Sequence, residues 1–209
     1  MKRLYFVRHG QTEWNAARRA QGQMNSDLND LGRRQADANG RLLKDHGVQA
    51  LFASPLGRTR QTTEIVQRHV PIEAMFDERI MEWDCGDWSG HTWDDVQAKW
   101  PEEWAALEAD RFHYRGPGCE NFPDMIARTK PFLADVLARP FDEIGIVSHG
   151  LIGRVMIGVL MNFSESEMLK HTQPNDVVYR VCVPRETSQP PQLDHFVGGE
   201  GPFPGAIAG

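Results

Sequence analysis

Leu4-Tyr5-Phe6-Val7-Arg8-His9-Gly10, near the N terminus, and Ile144-Gly145-Ile146-Val147-Ser148-His149-Gly150, far along the chain, decide the fold. Each is a short apolar run rich in β-branched or aromatic residues that breaks off into a polar residue, a histidine and a glycine. They predict buried strands over Leu4 to Val7 and Phe141 to Val147. In open α/β sheets ligands collect at the carboxyl ends of strands. Two histidines at neighbouring strand ends would meet over one crevice, each followed by a glycine that lets the backbone approach a ligand.

Working outward, Leu28 to Lys44 reads as a helix capped by Asp30, with Ala36, Leu42 and Leu43 on its apolar face. Val48 to Ala53 predicts a strand ended by Ser54-Pro55, and Leu56 to His69 a helix. Phe76 to Trp83 leads into a loop punctuated by Gly86 and Gly90. Trp93 to Leu107 reads as two short helices, because Pro101 suits the first turn of the second. Beyond the Gly116-Pro117-Gly118 loop, Met125 to Leu137 predicts a helix. Leu151 to Met161, apolar on nearly all sides, predicts a buried one, and Val177 to Val183 closes the sheet. From Pro184 onward the chain reads as a tail with a short strand near Phe196.

Strands alternating with helices imply an α/β fold. The expected architecture is a three-layer sandwich, a mostly parallel central sheet with helices on both faces and a small helical or loop cap over the carboxyl ends of the strands. The expected organisation is one domain over residues 1–185, with a cap insertion at about 87–121, and a Pro/Gly-rich extension over 186–209.

Composition narrows the function. The 209 residues carry 23 Lys and Arg against 29 Asp and Glu, a net charge of −6. An acidic chain has no global attraction for nucleic acid or anionic lipid, so any anion site must be built locally. Cys85, Cys119 and Cys182 form no CxxC pair, and the histidines form no HxH or HExxH, so no zinc site and no disulfide framework is indicated. No GxxxxGK[ST], GxGxxG or GxSxG stretch occurs. No apolar run is long enough to span a bilayer, and the basic start turns to Arg8-His9-Gly10 before a signal-length apolar region develops. A cytoplasmic protein without nucleic-acid or membrane partners is expected; a homodimer stays open.

Arg8, His9 and Gly10 continue as Gln11-Thr12-Glu13-Trp14-Asn15. Further motifs are Ser54-Pro55-Leu56-Gly57-Arg58 with Thr62, then Glu82 with Gly86, Trp88 and Gly90, and lastly Ser148-His149-Gly150. In this order the motifs resemble those of the histidine phosphatase superfamily, the phosphoglycerate-mutase-like proteins. The residue types suit phosphoryl transfer, which needs cationic donors on the phosphoryl oxygens and an in-line nucleophile. A neutral His9 can attack if its second ring nitrogen is held by a backbone acceptor. Arg8, Arg58 and a protonated His149 would supply the positive surroundings and keep His9 unprotonated. The resemblance implies the same roles: His9 carries the phosphoryl group, and Arg8, Arg58 and His149 form the phosphate pocket. It also implies that Asn15 donates to the phosphate and that Glu82 protonates the leaving oxygen and then activates water.

The implied activity is a phosphomonoesterase that uses a phosphohistidine intermediate, a small phosphorylated substrate, and no metal or other cofactor. A cofactor-dependent phosphoglycerate mutase and a non-catalytic phospho-ligand binder are the other readings. Residues 87–121, where the family covers its pocket, hold three basic residues against eight acidic ones, a poor setting for a second phosphate. Trp93, Val96, Trp104 and Leu107 are expected to pack the cap onto the body. Gln11, Thr12, His113, Tyr114 and Arg115 are candidates for substrate contact. Pro117-Gly118-Cys119-Glu120-Asn121 departs from the Pro-Gly-Gly-Glu-Ser pattern of the family's phosphatases.

Overall fold

A computed structural model describes residues 1–185 and 189–208. One seven-stranded sheet runs through it, in the order β3-β2-β4-β1-β5-β6-β7. Strand β1 (Lys2–Arg8) lies beside β4 (Glu143–Ser148), β4 beside β2 (Ala50–Ala53), and β2 beside β3 (Ala74–Phe76), all parallel. On its other side β1 pairs antiparallel with β5 (Val177–Val183). Leu4 to Val7 are all buried, which suits the centre of a sheet covered on both faces.

Alternation along the strands builds the two outer layers. Leu4, Phe6, Ile144 and Ile146 face one cluster, shared with Phe132 and Val136 of α6 (Phe122–Ala138) and with Val155 and Met156 of α7 (Gly150–Met161). Tyr5, Val7, Leu51 and Val147 face the other, with Leu42 and Leu43 of α2 (Asp30–Asp45) and Val66 of α3 (Gly57–Gln67). The short α1 (Glu13–Ala16) leaves the end of β1, and α8 (Glu165–Lys170) follows α7. The helices α4 (Trp93–Lys99) and α5 (Pro101–Ala109) form the cap, with Trp88, Val96, Cys85 and Cys119 in a small core of their own.

Three expectations change. Asn29, not Asp30, caps α2: its side chain accepts the Gly32 N–H at 2.9 Å, and Asp30 is the first helical residue. Gly10 is dictated by packing against α2, since a Cβ there would lie 2.1 Å from the Gly32 carbonyl oxygen. The stretch read as a tail with a short strand near Phe196 has that strand as β6 (Gln192–Val197), but a second strand, β7 (Glu200–Pro204), follows and both join the same sheet, burying Leu193 and Phe196. The outer edge of β5 has main-chain groups to pair, and Gly198-Gly199, both at positive φ, makes the two-residue turn of a hairpin.

Candidate active site

Parallel register brings the two histidines together. Arg8 pairs with Ser148, and the His9 N–H donates to the Ser148 carbonyl at 3.0 Å, so His9 and His149 leave adjacent strand ends. Their rings meet edge to face with centroids 5.2 Å apart. The end of β2 joins them, with the Ser54 N–H on the Val147 carbonyl at 3.0 Å and the Ser54 hydroxyl 2.8 Å from His149 Nε2. Arg58, in the first turn of α3, reaches back over this floor. Its Nε donates to His9 Nε2 at 3.2 Å, while Nη1 and Nη2 donate to the carbonyls of Met24 and Gly22, each at 2.7 Å.

Those bonds define the state of His9. Nδ1 lies 2.8 Å from the Gly10 carbonyl and donates to it, while Nε2 accepts the hydrogen bond from the Arg58 Nε–H. The ring is therefore neutral, with its Nε2 lone pair turned to the guanidinium. Burial first, and then the charges of Arg58 and Arg8, hold His9 well below the ordinary histidine range. Burial lowers Arg58 to about 10.

His149 lies beneath the pocket floor. It is fully buried and does not line the cavity, and burial followed by the charges of Arg58, His9 and Arg8 drives it neutral as well. Without an anion in the pocket, a second positive ring has no stabilising partner there.

Further residues fix this floor: Asn175 and Gln173, which no sequence pattern singles out, and the motif residues Thr62 and Gly150. Asn175 donates to the His9 carbonyl at 2.7 Å, and the Gln173 carbonyl accepts from Arg8 Nη1 at 2.8 Å. The Thr62 hydroxyl accepts the Gly10 N–H at 3.2 Å. Gly150 leaves room for Arg8, whose guanidinium carbon would lie 3.1 Å from a Cβ there.

Glu82 sits at the start of α7. Its carboxylate accepts the N–H groups of Trp83 (3.0 Å), Leu151 (3.2 Å) and Ile152 (3.0 Å), the last two from the helix's first turn. His149, the N-cap residue, supplies no side-chain cap, so Glu82 fills that role from a distant segment. Arg128 of α6 holds the backbone in place, donating to the carbonyls of Arg79, Met81 and Glu82 while paired with Glu120 at 2.7 Å.

A cavity of about 670 Å³ opens over these groups, lined by Arg8, His9, Asn15, Arg58 and Glu82. Further arginines, Arg18, Arg19, Arg111 and Arg154, stand around it with Glu82, Asp94 and Glu120 as its acids, so a cationic pocket exists on an acidic chain. Asn15 Oδ1 accepts the Thr12 N–H at 3.2 Å, which leaves the amide NH₂ as the group free to donate.

The candidate substrate contacts divide. Tyr114 lines the cavity; Gln11, Thr12, His113 and Arg115 do not. Thr12 is buried and caps α1, its hydroxyl accepting the Asn15 N–H at 3.1 Å. The Gln11 side chain accepts from Asn29 at 2.8 Å. His113 pairs with Asp110 and Glu165, and Arg115 with Asp124. Trp93, Trp104 and Leu107, expected only as packing, line the cavity while also packing against the cap core.

The sequence matches the family model of the histidine phosphatase superfamily (branch 1) over residues 4–191. It is 34% identical over 174 residues to a 2,3-bisphosphoglycerate-dependent phosphoglycerate mutase of Allorhizobium ampelinum, covering 79% of this chain and 82% of that one. It is 30% identical over 168 residues to phosphoserine phosphatase 1 of Hydrogenobacter thermophilus, covering 80% of each. Among solved structures, a mycobacterial glucosyl-3-phosphoglycerate phosphatase in complex with VO3 superposes with a TM-score of 0.82 at 27% identity, covering 93% of this chain and 98% of that one.

Proposed function

The chain belongs to branch 1 of the histidine phosphatase superfamily, enzymes that include phosphoglycerate mutases and phosphatases, and on that premise we propose that it is a metal-independent phosphomonoesterase acting on a small phosphorylated metabolite through a phosphohistidine. The observation that carries this reading is the pair of bonds on His9. A ring with Nδ1 anchored to the Gly10 carbonyl and Nε2 unprotonated beside Arg58 is a nucleophile next to a phosphate-binding cation.

In the proposed reaction an entering phosphate takes the Arg58 Nε–H from His9. The freed Nε2 attacks phosphorus, and the P–O bond to the alcohol breaks as Glu82 gives the leaving oxygen its proton. Water then attacks the phosphohistidine, Glu82 takes back a proton, and inorganic phosphate leaves. Arg8, Arg58 and the Asn15 amide hold the equatorial oxygens, where charge-assisted bonds strengthen as charge spreads. His149 forms the floor behind His9; a bound dianion supplies the negative charge that its protonation requires.

The mutase relatives favour a second reading, transfer between phosphoglycerates. The cap speaks for hydrolysis, with three basic residues against eight acidic ones over 87–121. The test is a product assay on 3-phosphoglycerate with its bisphosphate present, beside a screen of phosphate esters. Free phosphate as the main product supports the phosphatase; rapid 2-phosphoglycerate formation with little free phosphate replaces it with the mutase. No phosphate release from any ester, an aryl phosphate included, leaves a binding protein.

A further inference from the structure

Cys85 and Cys119 face each other across an isolated antiparallel bridge, both as free thiols and both buried. Cys85 follows the Glu82 segment, and Cys119 follows the Gly116-Pro117-Gly118 loop of the cap. The Glu120 N–H donates to the Asp84 carbonyl at 2.9 Å, one position outside the pair, which makes 85 and 119 a non-hydrogen-bonded pair. Such pairs hold their Cα atoms about 4.5 Å apart with side chains on the same face. A disulfide takes Cα separations of about 4.4 to 6.8 Å. Both side chains also belong to the same apolar cluster, with Trp88 and Val96.

We propose that Cys85 and Cys119 are a redox pair that closes to a disulfide under a peroxide, tying the cap loop to the segment that carries Glu82 and lowering turnover. Cys85 lines the cavity and Cys119 does not, so a small oxidant reaches Cys85 first. The Cys85 thiolate attacks one peroxide oxygen, the O–O bond breaks, and hydroxide leaves with the thiol proton as water, giving a sulfenic acid. The Cys119 sulfur attacks that sulfur and expels a second water; two thiols are oxidised and one hydrogen peroxide is reduced. Burial pushes both thiols up, Cys119 to about 12, so closure is slow at neutral pH and accelerates as pH rises.

The tie reaches the site by two routes. The Cys85 sulfur rests against Gly22, where a Cβ would lie 2.5 Å from it, and the Gly22 carbonyl accepts from Arg58. Glu120, next to Cys119, accepts the Asp84 N–H at 3.0 Å and pairs with Arg128, which holds the Glu82 carbonyl. Drawing the two sulfurs together pulls on both.

Hydrogen peroxide treatment of the whole protein, followed by alkylation and non-reducing peptide mapping, tests the pair. The expected product joins the Cys85 and Cys119 peptides with loss of two hydrogens, is undone by dithiothreitol, and forms faster at higher pH. Cys182 stays alkylated, Cys182→Ala leaves the link intact, and Cys119→Ala abolishes it. Separate alkylation of Cys85 and Cys119 after oxidation, or a dominant link to Cys182, overturns the pair. Hydrolysis of an aryl phosphate should fall several-fold on closure and recover with dithiothreitol, and Cys119→Ala should lose that recoverable part. Unchanged turnover in the cross-linked protein overturns the control of activity. That half rests on the phosphatase reading, and an inactive reduced protein refutes that reading while the peptide map still decides the cross-link.

Discussion

A histidine can take a phosphoryl group only while one ring nitrogen keeps its lone pair, and around His9 the influences working to that end outweigh its bond to the Gly10 carbonyl, which favours the proton. Burial, Arg58 and Arg8 all disfavour a second proton. The acid limb of kcat/KM should therefore lie below the ordinary histidine value of 6.5. Arg58→Ala removes one of the two cations and should move that limb toward higher pH, besides weakening inhibition by inorganic phosphate. A wild-type limb at or above 6.5, or one that stays put in Arg58→Ala, would contradict this electrostatic account. His9→Ala should abolish both turnover and an acid-labile, base-stable phosphoenzyme; persistent labelling in that variant would assign the nucleophile elsewhere. At this scale the sequence was informative where chemistry is local. A strand that ends in Arg8-His9-Gly10 announces itself, and so does Ser148-His149-Gly150. Arg111, Arg154, Gln173 and Asn175 sit in unremarkable local contexts, and only the folded chain brings them to the site. The neutrality of His149 in the free pocket was not legible for a related reason, because spacing reveals neighbours in the chain and not the depth at which they lie.

Helix α7 begins with no cap from its own N-cap residue, and Glu82 closes that gap from another segment through the Leu151 and Ile152 N–H groups. In the proposed mechanism one carboxylate thus serves both an element and a reaction, and two substitutions separate the roles. Glu82→Ala removes a helix cap, a change that costs about 0.5–2 kcal/mol, read as a lower urea midpoint. Glu82→Gln retains the shape but not the proton, and should lower kcat by ~10²–10⁴-fold on alkyl phosphates. The loss should be far smaller on an aryl phosphate, whose leaving oxygen needs little protonation. Equal losses on both esters would move the acid to a neighbouring group. Elements were legible where periodicity was long. The two cap helices divided by Pro101 were found from that proline. The three-residue β3 and the six-residue α8 were missed, being too short to show a period. The strand at Phe196 was legible as β6, but its hairpin partner β7 was obscured by proline and glycine content, although Gly198-Gly199 between two runs is itself a hairpin signal.

Across the whole molecule the net charge is −6, yet the interior at the site is positive and holds histidines that folding keeps neutral. His171 extends this pattern outside the pocket. It is buried with neither ring nitrogen hydrogen-bonded among the described residues, packs 4.7 Å from the Tyr179 ring, and is lowered to about 4 by burial and then by Arg154. Each of these groups has a folded pKa below its unfolded value of 6.5, so between those values the unfolded chain binds more protons than the native one. Stability is therefore full above about pH 6.5 and is lost as the pH falls toward the folded values. For His171 alone the drop from 6.5 to about 4 amounts to roughly 3 kcal/mol, at 1.36 kcal/mol per unit. That is a large share of a typical total of about 5–15 kcal/mol. Carboxylates such as Asp37 and Asp77, lowered from 3.8 by His69 and Arg79 respectively, lose their contribution only at still lower pH. The acid sensitivity between 6.5 and 4 thus belongs to the histidines. Urea midpoints should fall markedly from pH 7 to about pH 4.5, and His171→Leu, which fills the same site without a titrating ring, should reduce that fall. An equal fall in wild type and His171→Leu would place the acid sensitivity on other groups.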